Sequence, residues 1–385
     1  MMSKKKIYFL NGKKGGFDAM LPLLKIIKKK NEFHLKVILT DQHINKQFGN
    51  TYVNCEKEIG KKNIKLINLN TQKDDSHSRS KAMSKLLKKV SEYFNKSKPD
   101  LLMVYGDRME SLIGSMVAIN FNVPICHFQG GDLSGNIDEN IRHAITKLSN
   151  LHLTSNQKSL KRIQRMGEEK KSTFCIGDNH VDSIKKIEFK KNKINSIIKK
   201  YNLKNPYAIF MLHPDGISKL KNKTYCSNTL NVLKEFNLQF VCIYPCSDIG
   251  HEGIIEQLVK FSRTNKNFNV YKFLPHEDFI ILLKNSEFFI GNSSSGIIEC
   301  AYLKTPFINL GNRQKGRSSS QNVLHSSFNK KNIRKNIKIV MTKKFKNKNL
   351  KKIELIYGDG KSYLKAYKII KSKINHLKIY KVFYE

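Results

Sequence analysis

Residues 100–131 read DLLMVYGDRMESLIGSMVAINFNVPICHFQGG. An apolar run (100–107) ends in a Gly-Asp turn, ESLIGSMVAINF (110–121) follows with helical periodicity, and VPICHF (123–128) is a second apolar run that stops at paired glycines. Short apolar runs bounded by turn residues suit strands buried on both faces. A strand, a helix and a strand in so short a stretch form the repeating unit of a parallel sheet. The stretch predicts an α/β fold whose polar residues gather just past the carboxyl ends of the strands.

The same rhythm extends in both directions. KIYFL (6–10) and LKVILT (35–40) read as strands flanking a helix that carries MLPLLKIIKK, and residues 78–95 are helically periodic. Downstream, IDENIRHAITKLSN (137–150) reads as a helix and LHLTSN (151–156) as a strand. The pattern pauses over 183–204, a Lys- and Asn-rich linker plus helix. It restarts with YAIFMLHP (207–214), FVCIYPCS (240–247), NVYKFLP (269–275), EFFIGNSS (287–294) and PFINLG (306–311). The fold expected is α/β, two Rossmann-like domains facing a cleft (GT-B-like). The first spans 1–182, joined by a C-terminal helix over 361–385, and the second spans 183–360.

The chain has 385 residues, 39% of them apolar, and a formal charge of +40. Its lysines are scattered along the whole length, as in KKK (4–6, 28–30) and KKFKNKNLKK (343–352), and are mixed with Asn and Ile. That pattern describes solvated faces rather than a nucleic-acid footprint. No apolar run approaches the roughly 18 residues of a membrane helix, and the basic start has too few apolar residues for a signal peptide. The expectation is a cytoplasmic protein with no membrane and no nucleic-acid partner. Seven cysteines without a C-x-x-C pair predict unpaired thiols and no metal site.

Four motifs carry chemistry. GNSSSGIIEC (291–300) sets Ser293, Ser294, Ser295 and Gly296 at a helix start, where backbone N–H groups and the helix dipole favour an anion. N-capping alone would use fewer serines. Glu299, one turn in, suits ribose hydroxyls or simply the dipole. NGKKGGF (11–17) is a Gly-rich turn with Lys14, equally readable as an ordinary strand–helix turn. YGDRMES (105–111) puts Asp107 and Arg108 past a strand end. HFQGGDLSGNIDENIRH (127–143) brings Gln129, Asp138, Glu139, Arg142 and His143 to the same edge. The plain alternative there is a pair of intrahelical ion pairs from Arg142, worth about 0.2–0.5 kcal/mol each. Paired carboxylates at such an edge suit proton transfer. His213, in MLHP, lies at a strand end where a packed histidine is the plain reading.

The run HFQGGDLSGNIDENIRHAITKLSNLHLTSN, with GDRMES upstream, resembles the hydrolysing UDP-N-acetylglucosamine 2-epimerases of sialic-acid and legionaminic-acid biosynthesis. So do GNSSSGIIECAYLKTPFINLGNRQKGR, NVLH, YGDG (357–360) and TDQHINKQFGNTY (40–52), the last bringing in His43. The resemblance implies loss of the C2 proton and of the nucleotide diphosphate to give a 2-acetamidoglycal. Water then adds at C1 with reprotonation of C2 on the other face. The products are N-acetylmannosamine and UDP, with no metal or other cofactor and with a homodimer as the assembly. It implies Asp107, Asp138, Glu139, Arg142 and His213 in catalysis. Lys14, His43, Arg108, Gln129, His143, Ser293, Ser294, Ser295, Gly296, Glu299 and Arg313 would bind the nucleotide sugar.

Departures from the family pattern bear on the substrate. Gln129 stands where many members have Glu, and an amide does not exchange a proton at neutral pH. In the N-terminal loop Lys14 replaces an arginine and Gly16 an acid. A UDP- or GDP-linked 2,4-diacetamido sugar is the alternative substrate, and a glycosyltransferase on the same fold the alternative activity.

Overall fold

Leu101–Tyr105 is buried along its whole length, as a strand covered on both faces must be. The computed structural model describes residues 4–69, 75–135, 137–204, 206–351, 353–382 and 384. It divides into two compact units: Met1–Leu133 with Ile137–Lys185 and Tyr357–Glu385, and Lys186–Ile356 with the short segment Ser134–Asn136.

The first unit holds strands β1 (Lys6–Asn11), β2 (His34–Thr40), β3 (Ile64–Ile67), β4 (Leu101–Tyr105), β5 (Ile125–Phe128), β6 (Leu151–Thr154) and β7 (Thr173–Cys175). They form one sheet in the order β3-β2-β1-β4-β5-β6-β7, with every pairing parallel. Strand order reverses between β1 and β4, paired from Ile7↔Leu101 to Leu10↔Val104. The connections leave these two strands in opposite directions, which opens a crevice at their carboxyl ends.

Alternation along β1 divides the core. Ile7 and Phe9 pack with Phe17, Met20, Leu23 and Leu24 of the helix Lys14–Lys30. Tyr8 and Leu10 pack on the other face with Leu86, Val90 and Phe94 of the helix Ser76–Lys96 and with Ile113 and Val117 of Met109–Asn120. The helix Ser362–Lys373 returns to the first unit, burying Ala366, Tyr367 and Ile370 in the first of these clusters. The Asp182 carboxylate accepts from the N–H groups of Ser362 and Tyr363, both at 2.7 Å, and so satisfies donors that the helix start leaves open.

The second unit holds β8 (Tyr207–Met211), β9 (Gln239–Ile243), β10 (Phe268–Tyr271), β11 (Phe289–Gly291), β12 (Phe307–Leu310) and β13 (Val323–Ser326). Their order is β10-β9-β8-β11-β12-β13, again all parallel, with the reversal between β8 and β11. Three strands went unread in the sequence: β3, β7 and β13. All are sheet edges of three or four residues with partly exposed side chains, so their hydrophobic signal is weak. The seven cysteines are all unpaired thiols.

Candidate active site

At the end of β4 the chain turns at Gly106, whose φ of +73° a side chain would resist, and presents Asp107 at the crevice. Asp107 pairs with Arg142 of the helix Asp138–Leu148. Arg142 is 0% exposed and also donates from Nη1 to the Asp132 carbonyl at 2.7 Å. The buried guanidinium thus braces the Asp107 carboxylate beside it. Asp138 and Glu139 remain half-buried in the first turn of their helix. His143 lies 3.9 Å from Glu139 on that helix, and burial with the neighbouring Arg142 holds its imidazole below the ordinary range.

Arg108 joins a charged group that spacing did not reveal. It reaches Glu110 at 3.3 Å and Asp41 at 3.5 Å, while Arg79 donates to Asp41 at 2.9 Å. Burial works against the Arg79 charge, but Asp41 and Glu110 overrule it and hold the guanidinium firmly protonated. Glu110 lies within the quoted GDRMES and Asp41 within TDQH. Nothing local pairs them, because β2 and β4 meet this crevice through β1.

His43 lies beneath the turn that follows β1. It is 0% exposed, its Nε2 bonds to Asn11 Oδ1 at 3.1 Å, and its Nδ1 accepts from Thr51 Oγ1 at 2.9 Å. Burial pulls it to about 4, so it stays neutral. It thereby holds Asn11 in place. Asn11 Oδ1 in turn accepts the Lys13 N–H at 2.7 Å, shaping the turn before Lys14. Lys14 opens the helix and pairs with Asp18 one turn on. With no acid in that first turn, lysines stand at the positive dipole end, an arrangement that favours an anion nearby. A Cβ on Gly16 would lie 2.5 Å from Asn11 Nδ2, so a larger residue there would have to displace the Asn11 amide.

Gln129 follows β5 with φ +60° and is 8% exposed; its amide donates to Asp178. His127, which the sequence reading passed over, is fully buried and brought to about 3 by burial. Its Nε2–H donates to the Gly106 carbonyl at 2.8 Å while Nδ1 accepts from Thr146 Oγ1 at 3.2 Å. It thereby ties the Asp107 turn to the helix that carries Arg142.

In the second unit Asn292 is the hub. Its Oδ1 accepts the His213 N–H at 2.7 Å, its Nδ2 donates to the His213 carbonyl at 2.9 Å, and its own carbonyl accepts from Arg313 at 3.3 Å and Gln314 at 3.0 Å. His213 Nδ1 accepts the Cys246 N–H at 2.9 Å, which leaves the proton of the neutral ring on Nε2. Arg313 also approaches Asp248 at 3.6 Å. Ser294 precedes the helix Ser295–Leu303 with no capping bond from its side chain, and Ser293 Oγ accepts the Ser295 N–H at 3.3 Å. Glu299 is buried on that helix. Gly296 has a packing reason to be glycine: its Cβ would lie 2.2 Å from the Phe307 ring.

His213 and the serine loop thus share one unit, whereas Asp107, Asp138 and Gln129 belong to the other. Among the described residues no group of three or more His, Cys, Asp or Glu side chains could hold a metal ion. No helix among them is long and apolar enough to cross a membrane.

Two parallel sheets of one strand order, each with charged and hydroxyl groups at its carboxyl edge, define a GT-B-like protein. The fold matches that of Methanocaldococcus jannaschii UDP-GlcNAc 2-epimerase, solved in complex with UDP-GlcNAc and UDP. The TM-score is 0.77 at 20% identity, over 95% of this chain and 99% of that one. The model of the UDP-N-acetylglucosamine 2-epimerase family matches residues 25–371, and the chain belongs to that family. It is 33% identical to the Campylobacter jejuni GDP/UDP-N,N'-diacetylbacillosamine 2-epimerase (hydrolyzing), over 85% of this chain and 86% of that one. It is 30% identical to a UDP-N-acetylglucosamine 2-epimerase of Neisseria meningitidis serogroup B, over 86% and 85%.

Proposed function

We propose that this chain is a hydrolysing nucleotide-sugar 2-epimerase that converts UDP-N-acetylglucosamine to N-acetylmannosamine and UDP in sialic-acid-type sugar biosynthesis, as a cytoplasmic homodimer. The observation that carries the reading is the Asp107 carboxylate, paired with the fully buried Arg142 at the β1/β4 switch point of a chain in this family. The chemistry needs a base to take the proton from C2 while the C1–O bond to the diphosphate breaks. It then needs an acid to return a proton to the opposite face of C2 as water adds to C1. Asp107 and Asp138 are assigned this proton work, with Glu139 and His143 beside them. Arg108 and Lys14 supply positive charge. Ser293, Ser294 and Ser295 hold the diphosphate, Glu299 the ribose hydroxyls, and His213 and Arg313 the leaving diphosphate.

A second reading, the same reaction on a 2,4-diacetamido sugar carried by UDP or GDP, is favoured by the hydrolysing Campylobacter relative. The test is incubation with each nucleotide sugar in D2O, products read by NMR. Free 2-epimeric sugar carrying deuterium at C2, together with free nucleotide diphosphate, is expected. Product without deuterium would rule out the elimination route, and a product still linked to nucleotide would rule out the hydrolysing assignment.

A further inference from the structure

The end of β5 presents an amide whose orientation is set from behind. Asp178 is 1% exposed, yet its carboxylate is fully engaged. Gln129 Nε2 donates to Oδ2 at 2.5 Å. His180 donates to Oδ1 from Nδ1 and from its backbone N–H, each at 2.9 Å, and the Tyr105 hydroxyl adds a longer bond at 3.4 Å. Burial works against the charge, but the bonds from His180 and Gln129 hold the acid below its ordinary range, so Asp178 is ionised.

An ionised carboxylate only accepts, so the amide nitrogen of Gln129 must face it and Oε1 must face away. Oε1 lies 3.7 Å from where a Cβ of Gly106 would stand, over the turn that carries Asp107. The left-handed backbone at Gln129, φ +60°, is held by its N–H bond to the Leu153 carbonyl at 3.1 Å. Neither the backbone nor the amide is left a choice.

We propose that Asp178 is a positioning residue that locks the Gln129 amide with its carbonyl oxygen toward the Asp107 turn, so that the site offers an acceptor only and selects a hydrogen-bond donor, N–H or O–H, on the sugar. This rests on the epimerase reading above. Asp178 lies 49 residues from Gln129, at the start of the helix Asn179–Lys185, and matches none of the motifs that point to a site.

The lock and the function are tested separately. In protein labelled with 15N at glutamine side chains, the Gln129 amide is expected to show a displaced, slowly exchanging resonance that Asp178→Asn returns to the normal position. An ordinary, fast-exchanging Gln129 amide in the parent overturns the lock whatever the activity. In turnover of UDP-N-acetylglucosamine, Asp178→Asn frees the amide to flip and should raise KM about tenfold with a smaller change in kcat. Gln129→Glu sets two carboxylates against each other and should lose more. The double variant Gln129→Glu/Asp178→Asn reverses the polarity of the bond but still turns an oxygen toward the Asp107 turn. It should bring KM back to within about threefold of the parent. Parent KM in folded Asp178→Asn, or a folded double variant no better than Gln129→Glu, overturns the proposal. A parent inactive on every nucleotide sugar while the displaced resonance is present overturns the epimerase reading and not the lock.

Discussion

Replacing Asp107 by Asn keeps the shape of the side chain and removes its charge. The effect on stability follows from Arg142, which is 0% exposed while Asp107 is 23% exposed. Breaking a buried ion pair by deleting one partner costs about 3–5 kcal/mol, because the remaining charge stays buried without compensation. Here one side of the pair is partly open to water, and Arg142 keeps its bond to the Asp132 carbonyl. The cost should therefore fall to about 2–3 kcal/mol. A domain of this size shifts by about 2–4 °C per kcal/mol, so the first unit should melt roughly 5–10 °C lower. Turnover should fall about 10²–10⁴-fold if Asp107 moves the C2 proton.

Adding Arg142→Met separates the two effects. It removes the buried charge at similar volume, a replacement that is often neutral or stabilising, so the double variant should regain most of the melting temperature and none of the turnover. Calorimetry and a coupled assay of UDP release measure the pair. If Asp107→Asn melts with the parent, Arg142 does not depend on it. If the double variant recovers turnover, Asp107 served only to neutralise Arg142, and its catalytic assignment is wrong.

Two further expectations concern the serine loop and Glu168. UDP should raise the melting temperature of the parent, by about 2.7 kcal/mol of stabilisation at a hundredfold excess over Kd. Ser294→Asp removes no capping bond and sets a negative charge against the diphosphate. A UDP-induced shift that survives in that variant removes the serine loop from the nucleotide site. The Glu168 side chain is 1% exposed and pairs with Lys381 at 2.6 Å and with Lys147 and His152 at 2.9 Å. Burial works to raise its carboxyl, and the neighbouring His152, Lys147 and Lys381 overrule burial and bring it to about 2. Because the folded value is depressed, the stability it contributes is complete above the ordinary Glu range, near 4.3, and is lost as pH falls toward 2. Glu168→Gln should melt lower than the parent at neutral pH and show a shallower fall between pH 5 and 3. Parallel acid profiles for the two proteins would count against the assignment.

The strands that build both sheets were legible because a strand buried on two faces must be apolar throughout, and such runs stand out in any sequence. The runs at 6–10, 35–40, 101–105 and 207–211 all became central strands. The edges β3, β7 and β13 were not legible, since a short edge strand buries too little to mark itself. Residues past strand ends were found by position, and so Asp107, Gln129, His213 and Ser293 were named before their surroundings were known.

The partner of each charge was a different matter. Nothing near Arg142 in sequence selects Asp107 over the acids of its own helix. Nothing near Gln129 selects Asp178, and Asn292 gives no sign that it will clasp His213 from 79 residues away. Sequence by itself determined two parallel α/β sheets and which residues would stand at their carboxyl ends, because burial periodicity is a local property. The tertiary structure decided what each of them meets: His43 holds Asn11, Arg142 pairs with Asp107, and Gly296 makes room for the Phe307 ring. The strand order that brings them together is set by long-range packing, and buried polar groups then take whichever partner that order places within reach.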